Sequence, residues 1–242
     1  MANLDLYAGI KGSNAIDQWE IDKTFLAARV ALRPLEYAKD GVILGSYRVA
    51  QASGAVVSIG ALGHVGSIRW SDSTRYLVLM RIRAGYTITT AVTAAPQMDM
   101  RAIIARGFTV DFTTAATAID MATIAKTGAM RSTMSSSLMG ANGPRICTTT
   151  VQSGQTMTVD AAPIAMVCWE AIHMVNATGT AVLLGVGSGG PMMDLYNCNA
   201  NGEHPVVLSA NEGVILQPVT AGPTTGTMKY YFEWTWSEVH VF

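Results

Sequence analysis

Apolar and polar positions alternate along much of this chain, and that period of two predicts β-strands. In Phe25–Arg33, Leu26, Ala28, Val30 and Leu32 fall on one face and Arg29 and Arg33 on the other. In Tyr76–Arg83, Tyr76, Val78, Met80 and Ile82 share a face. Arg81 and Arg83 share the opposite face with Leu77 and Leu79, which predicts a strand covered on both sides. Phe108, Val110 and Phe112 alternate with Thr109, Asp111 and Thr113. The last run, Lys229–Phe242, gathers Tyr230, Phe232, Trp234 and Trp236 on one side against Glu233, Thr235 and Ser237. A helix would scatter each of these sets around its circumference.

Further strands are expected at Leu44–Gln51, Ala55–Ile59, Thr87–Thr93, Arg145–Val151, Thr156–Val159, Met166–Ile172, Thr180–Leu184, Pro205–Ser209 and Gly213–Val219. Turn chemistry separates the runs, as at Asp40-Gly41, Asn142-Gly143-Pro144 and Asn201-Gly202. Many short strands without alternating long helices predict an all-β fold, a jelly-roll-like antiparallel β-sandwich. Two regions depart from the pattern. Residues 1–22 lack clean alternation and read as an N-terminal arm or edge segment, leaving 23–242 as the sandwich domain. Residues 114–140, rich in Ala, Met, Thr and Ser, read as one long connection. Within it Ile119–Ala125 suits a short helix and Ser132–Ser137 a flexible link.

Composition adds a statement about the surface. Of 242 residues, 50% are hydrophobic and 14% charged, against about 25% charged in an average soluble domain. Sixteen basic residues balance seventeen acidic ones, for a net charge of −1. Such a chain has no global attraction for nucleic acid or an anionic membrane, and little charge repulsion between copies. Part of its surface is therefore expected to be buried in self-association. No stretch reaches the roughly 18 apolar residues of a membrane span. The start, Met1-Ala2-Asn3-Leu4-Asp5, lacks the basic and apolar regions of a signal peptide. Cys147, Cys168 and Cys198 are odd in number and far apart, so they read as three buried thiols in a reducing compartment.

Candidate chemistry is sparse. Gly185-Val186-Gly187-Ser188-Gly189-Gly190 fits G-x-G-x-x-G, but Pro191 follows and the helix that would present a pyrophosphate is missing. The segment reads as a flexible hairpin loop. His64, His173, His204 and His240 show no zinc-like spacing; Glu203-His204 with Asp194 and Cys198 is the nearest approach to a ligand set. No G-x-S-x-G elbow is present. Glu233 and Glu238 lie on opposite faces of the last strand and read as groups that solvate or end an edge. Asn176-Ala177-Thr178 fits a glycosylation pattern that a chain without a leader would leave unused. Arg29, Arg33, Arg81, Arg83, Arg101 and Arg106 read as a solvated or intersubunit polar face rather than a nucleic-acid site. The sequence thus points to no enzyme, no cofactor and no metal.

What remains is packing. Burying each large ring of the last strand stabilises by about 1.5–3 kcal/mol. So apolar a strand does not suit an open edge. Trp70, Tyr230, Phe232, Trp234 and Trp236 are the candidate core or interface residues, and Glu238 and His240 suggest that the strand emerges at the surface there.

Two segments carry a family likeness. One is His204-Pro205-Val206-Val207-Leu208-Ser209-Ala210-Asn211-Glu212-Gly213, the other Glu233-Trp234-Thr235-Trp236-Ser237-Glu238-Val239. An apolar strand, Asn-Glu-Gly, and a final strand closing on Trp-x-Glu-Val resemble structural proteins of tailed-bacteriophage virions. The resemblance implies a β-sandwich subunit made in the host bacterial cytoplasm and built into the virion. It would serve as a capsid decoration or a head, neck or tail accessory, with itself and other virion proteins as partners. The alternative is a carbohydrate- or receptor-binding jelly-roll module of a phage fibre or spike, with Trp and Tyr as stacking platforms.

Overall fold

The computed structural model describes residues 21–22, 27–28, 45–57, 59–90, 98–121, 136–169, 189–198, 204–222 and 226–239. Chain contacts divide it into two compact units, Met1–Pro34 and Leu35–Phe242. In the first, β1 (Ile21–Asp22) pairs antiparallel with β2 (Ala27–Ala28). The rest of the strand expected over Phe25–Arg33, and residues 1–20 of the arm expected over 1–22, lie outside the described residues.

The second unit holds β3 (Gly45–Ala52), β4 (Gly66–Trp70), β5 (Tyr76–Thr90), β6 (Met98–Val110), β7 (Ala116–Ala118) and β8 (Arg145–Cys147). They are followed by β9 (Thr156–Val159), β10 (Ala165–Trp169), β11 (Gly189–Asn197), β12 (Val206–Leu208), β13 (Glu212–Gln217) and β14 (Thr227–Val239). One sheet runs β11-β5-β14-β3, with β12 also paired to β5. The other runs β10-β6-β13-β4-β8-β7, with β9 also paired to β6. All described pairs are antiparallel.

The strands of this unit with five or more residues are β3, β4, β5, β6, β10, β11, β13 and β14. Counted in chain order, the first, eighth, third and sixth form one sheet, and the second, seventh, fourth and fifth form the other. That interleaving of two Greek keys is the jelly roll. The fold is an all-β sandwich, as the alternation predicted.

The core lies between the sheets. Tyr47, Ile82, Phe232, Trp234 and Trp236 from the smaller sheet meet Ile68, Trp70, Met100, Ile104, Val214 and Leu216 from the larger. The larger sheet is also covered outside. Ile103, Ala105 and Ile215 alternate with core residues and pack under Phe108, Phe112, Ala116 and Met157. This second layer explains why β6 and β13 are apolar nearly throughout.

Several expected elements change. Tyr76–Arg83 and the described part of Thr87–Thr93 join in the single fifteen-residue strand β5; residues 91–93 lie outside the described residues. Its register against β14 skips Met80, because Thr235 pairs with Arg81 and Trp236 with Leu79. That bulge reverses the inward phase. Leu77 and Leu79 enter the core before it, and Ile82, Ala84, Tyr86 and Ile88 after it. Val110 is 43% exposed and does not share the burial of Phe108 and Phe112, because β6 ends at Val110 and the chain turns over the sheet. Ala55–Ile59 shrinks to a single bridge, Val56 to Met228. The long connection begins with β7 and closes with a 3-10 turn at Gly140–Asn142; most of the short helix expected over Ile119–Ala125, and residues 122–135 as a whole, lie outside the described residues. Thr180–Leu184 does too.

Candidate functional site

The aromatic strand is central, not an edge. β14 lies between β5 and β3, and the main-chain groups of both its sides enter ladders. Tyr230, Phe232, Trp234 and Trp236 are each 0% exposed, and Trp70 is 1% exposed. All five belong to the interior of one protomer. Tyr47 stacks on Trp236 at 5.6 Å between ring centroids, and Tyr230 on Phe232 at 6.2 Å. The Trp70 indole N–H donates to the Arg75 carbonyl at 2.8 Å. Burial pushes the Tyr230 hydroxyl far above its ordinary range, with Cys147, Tyr86 and Asp99 adding to the shift. These rings are a packing constellation without an open face.

The end of β14 is buried, not exposed as its polar residues suggested. Glu238 is 2% exposed, so the strand does not surface there; His240 lies outside the described residues. Period two puts Glu238 on the inward face with Trp236. Its carboxylate accepts from Ser137 Oγ at 2.5 Å, the Leu138 backbone N–H at 2.9 Å and Trp236 Nε1 at 3.2 Å. It thereby ties the closing residues of the 114–140 connection to the last strand. Desolvation raises its pKa, those three hydrogen bonds oppose the rise, and the Asp72 charge adds to it. Glu233 points to the other face as expected, yet it too is largely buried. Arg48 covers it at 2.6 Å, and Arg83 approaches to 3.9 Å. Neither carboxylate ends an edge strand.

The glycine-rich segment is also reassigned. Gly189 and Gly190 open β11, while 185–188 lie outside the described residues. Gly190 lies under two rings: a Cβ there would stand 2.4 Å from Trp169 and 2.5 Å from Tyr86. The last glycine of the motif is thus required by an aromatic contact, the edge-on Tyr86–Trp169 pair at 5.4 Å. Pro191 is tolerated because β11 is an edge strand whose register breaks between Gly190 and Met193.

The other candidates are held in local structure. Asp194 pairs with Arg81 at 2.6 Å, and Cys198 lies against Met80. Glu203 lies outside the described residues, and His204 sits exposed on its loop. The His64 ring packs on Phe112 at 5.2 Å, and burial lowers its pKa. Among the described residues no three metal-ligating side chains converge. Cys147 is buried with its pKa pushed up to about 12 and Cys198 is buried, but Cys168, expected to be buried too, is exposed. Of the arginine series, Arg81 and Arg83 face Asp194 and Glu233; Arg101 bonds Gln217; Arg106 clasps Asp160 and Glu212. Arg29, Arg33, His173 and Asn176 lie outside the described residues. No helix among the described residues is long and apolar enough to cross a membrane.

One polar cluster was not legible beforehand. Asp111, 11% exposed, receives two arginines on the outer face of the larger sheet, Arg145 at 3.1 Å and Arg69 at 3.9 Å. Pairing of β4 with β8 and the turn after β6 bring these distant residues together, and no sequence spacing signals it.

No protein-family model matches this chain, and no curated protein matches it in sequence. One solved structure, a cryo-EM structure of mud crab dicistrovirus, is similar over 98% of this chain and 90% of its own, at 11% identity and a TM-score of 0.19. The jelly-roll assignment rests on the strand order alone.

Proposed function

We propose that this chain is a structural subunit of a virus particle and works by packing against copies of itself and other particle proteins. The observation that carries the reading is the interleaved strand order, since the jelly roll is a common scaffold of capsid proteins. The low charged fraction supports it. The terminal segments around Asn211-Glu212-Gly213 and Trp236-Ser237-Glu238 favour a tailed bacteriophage. The subunit would then be a capsid decoration or a head, neck or tail accessory, made in the bacterial host. In this reading the chain is not an enzyme and carries no cofactor.

Jelly rolls also serve as lectins. A sugar site would need exposed stacking rings, but Trp70, Trp169, Trp234 and Trp236 are all buried, while Tyr76 is exposed; Trp19 lies outside the described residues. Their burial disfavours the carbohydrate-binding alternative. Quantitative mass spectrometry of purified particles tests the proposal. The chain is expected in a fixed ratio to the major capsid protein, and its absence from intact particles would overturn the reading.

A further inference from the structure

We propose that Arg69 and Arg145 form an oxyanion-binding site on the outer face of the larger sheet. The inference does not rest on the particle role. Its first support is a charge count. Two guanidiniums, with side chains 15% and 16% exposed, converge on the single carboxylate of Asp111. Neither has another carboxylate in ion-pair range among the described residues. Arg106 shows the opposite balance, one guanidinium between two acids. The cluster therefore carries an excess positive charge in a place where water screens poorly and an added anion is held more strongly.

The second support is geometry. Asp111 does not saturate its partners: one of its oxygens accepts the Phe112 N–H at 3.0 Å. Arg145 Nε is near the other oxygen, yet it is a buried donor without a hydrogen bond. The Arg69 guanidinium is fixed by Nε donating to the Phe108 carbonyl at 2.6 Å and by lying over the Phe108 ring at 5.9 Å. Its Nη1 stays 3.9 Å from the carboxylate, beyond hydrogen-bond reach. Arg145 reaches Asn142 only at 3.4 Å. Ser67 is paired across the strands with Arg145 and lies two residues before Arg69, its buried hydroxyl without a hydrogen-bond partner. Two planar forks and a hydroxyl donor suit a carboxylate or a phosphate.

Calorimetric titration of the whole chain with inorganic phosphate, at ionic strength held constant with chloride, tests the site. One phosphate per chain is expected to bind saturably. Arg145→Gln, leaving one arginine matched to one acid, should weaken binding at least tenfold; Arg145→Lys, which keeps the charge but loses the fork, should fall between. Asp111→Asn, which removes the competing carboxylate, should tighten it. Circular dichroism verifies that each variant is folded, and the lysine variant serves if the glutamine variant is not. Absence of saturable binding, or equal affinity in wild type and Arg145→Lys, overturns the proposal. Light scattering during the titration separates the sources. If the native occupant is an acidic side chain of a second copy, phosphate lowers the mass; if it is a free oxyanion, phosphate binds at constant mass.

Discussion

Glu238 is the residue whose environment departs furthest from its chemistry. It is a carboxyl group in an apolar interior, held by Ser137, Leu138 and Trp236 and lying near Tyr47 and Asp72. Its raised pKa makes the folded state favour the protonated form. The stability it contributes is full below its ordinary value of 4.5 and is lost as pH rises through the raised value. Glu238→Gln removes this titration. The melting temperature of the wild type relative to Glu238→Gln should therefore fall as pH rises above 4.5. Comparing the two proteins isolates Glu238 from His64, whose lowered pKa adds stability in the opposite direction, present above 6.5 and lost as pH falls. A difference in melting temperature that stays constant with pH would contradict the assignment.

Among elements, β11 shows how one position can be fixed by a neighbouring sheet. Gly190 faces Trp169 of β10, whose indole N–H donates to the Pro191 carbonyl at 3.0 Å, and Tyr86 of β5. A methyl group there must displace two packed rings. Gly190→Ala is expected to destabilise by about 1–3 kcal/mol, an overpacking cost. Urea denaturation would measure it, and an unchanged midpoint would show that the rings move aside freely. β5 makes a related point. A skip of one residue at Met80 lets one strand bury odd positions at its start and even positions later. A strand with two apolar faces and a strand with a bulge look alike in sequence.

For the whole molecule, the decisive contrast is between a filled interior and a sparingly charged surface. The large aromatic side chains of β14 are spent inside the protomer, so any assembly must use other surface. Exposed apolar side chains such as Val57, Leu62, Val110, Val159 and Met166 are available for it. With a net charge of −1, long-range repulsion does not oppose association. Multi-angle light scattering should show a mass that rises above the monomer with concentration. A strict monomer at high concentration would count against assembly by self-packing.

The alternation of Tyr230 through Trp236, the turn dipeptides and the absence of helical periodicity determined the fold class, because strand formation and burial of one face are local consequences of the side-chain pattern. The same pattern, carried two residues further, places Glu238 inward; reading it as a polar end set charge above period. Residues 98–107 and 66–70 escaped notice because strands buried on both faces lack alternation. Residues 189–197 escaped because Gly and Pro mask an edge strand. Only the tertiary structure decided which strands pair, and so gave the expected jelly-roll-like sandwich its strand order. It also decided that Gly190 lies in a strand under two rings rather than in a hairpin loop, and that Arg69, Asp111 and Arg145 meet. Those facts depend on contacts between residues far apart in the chain, which no local spacing encodes.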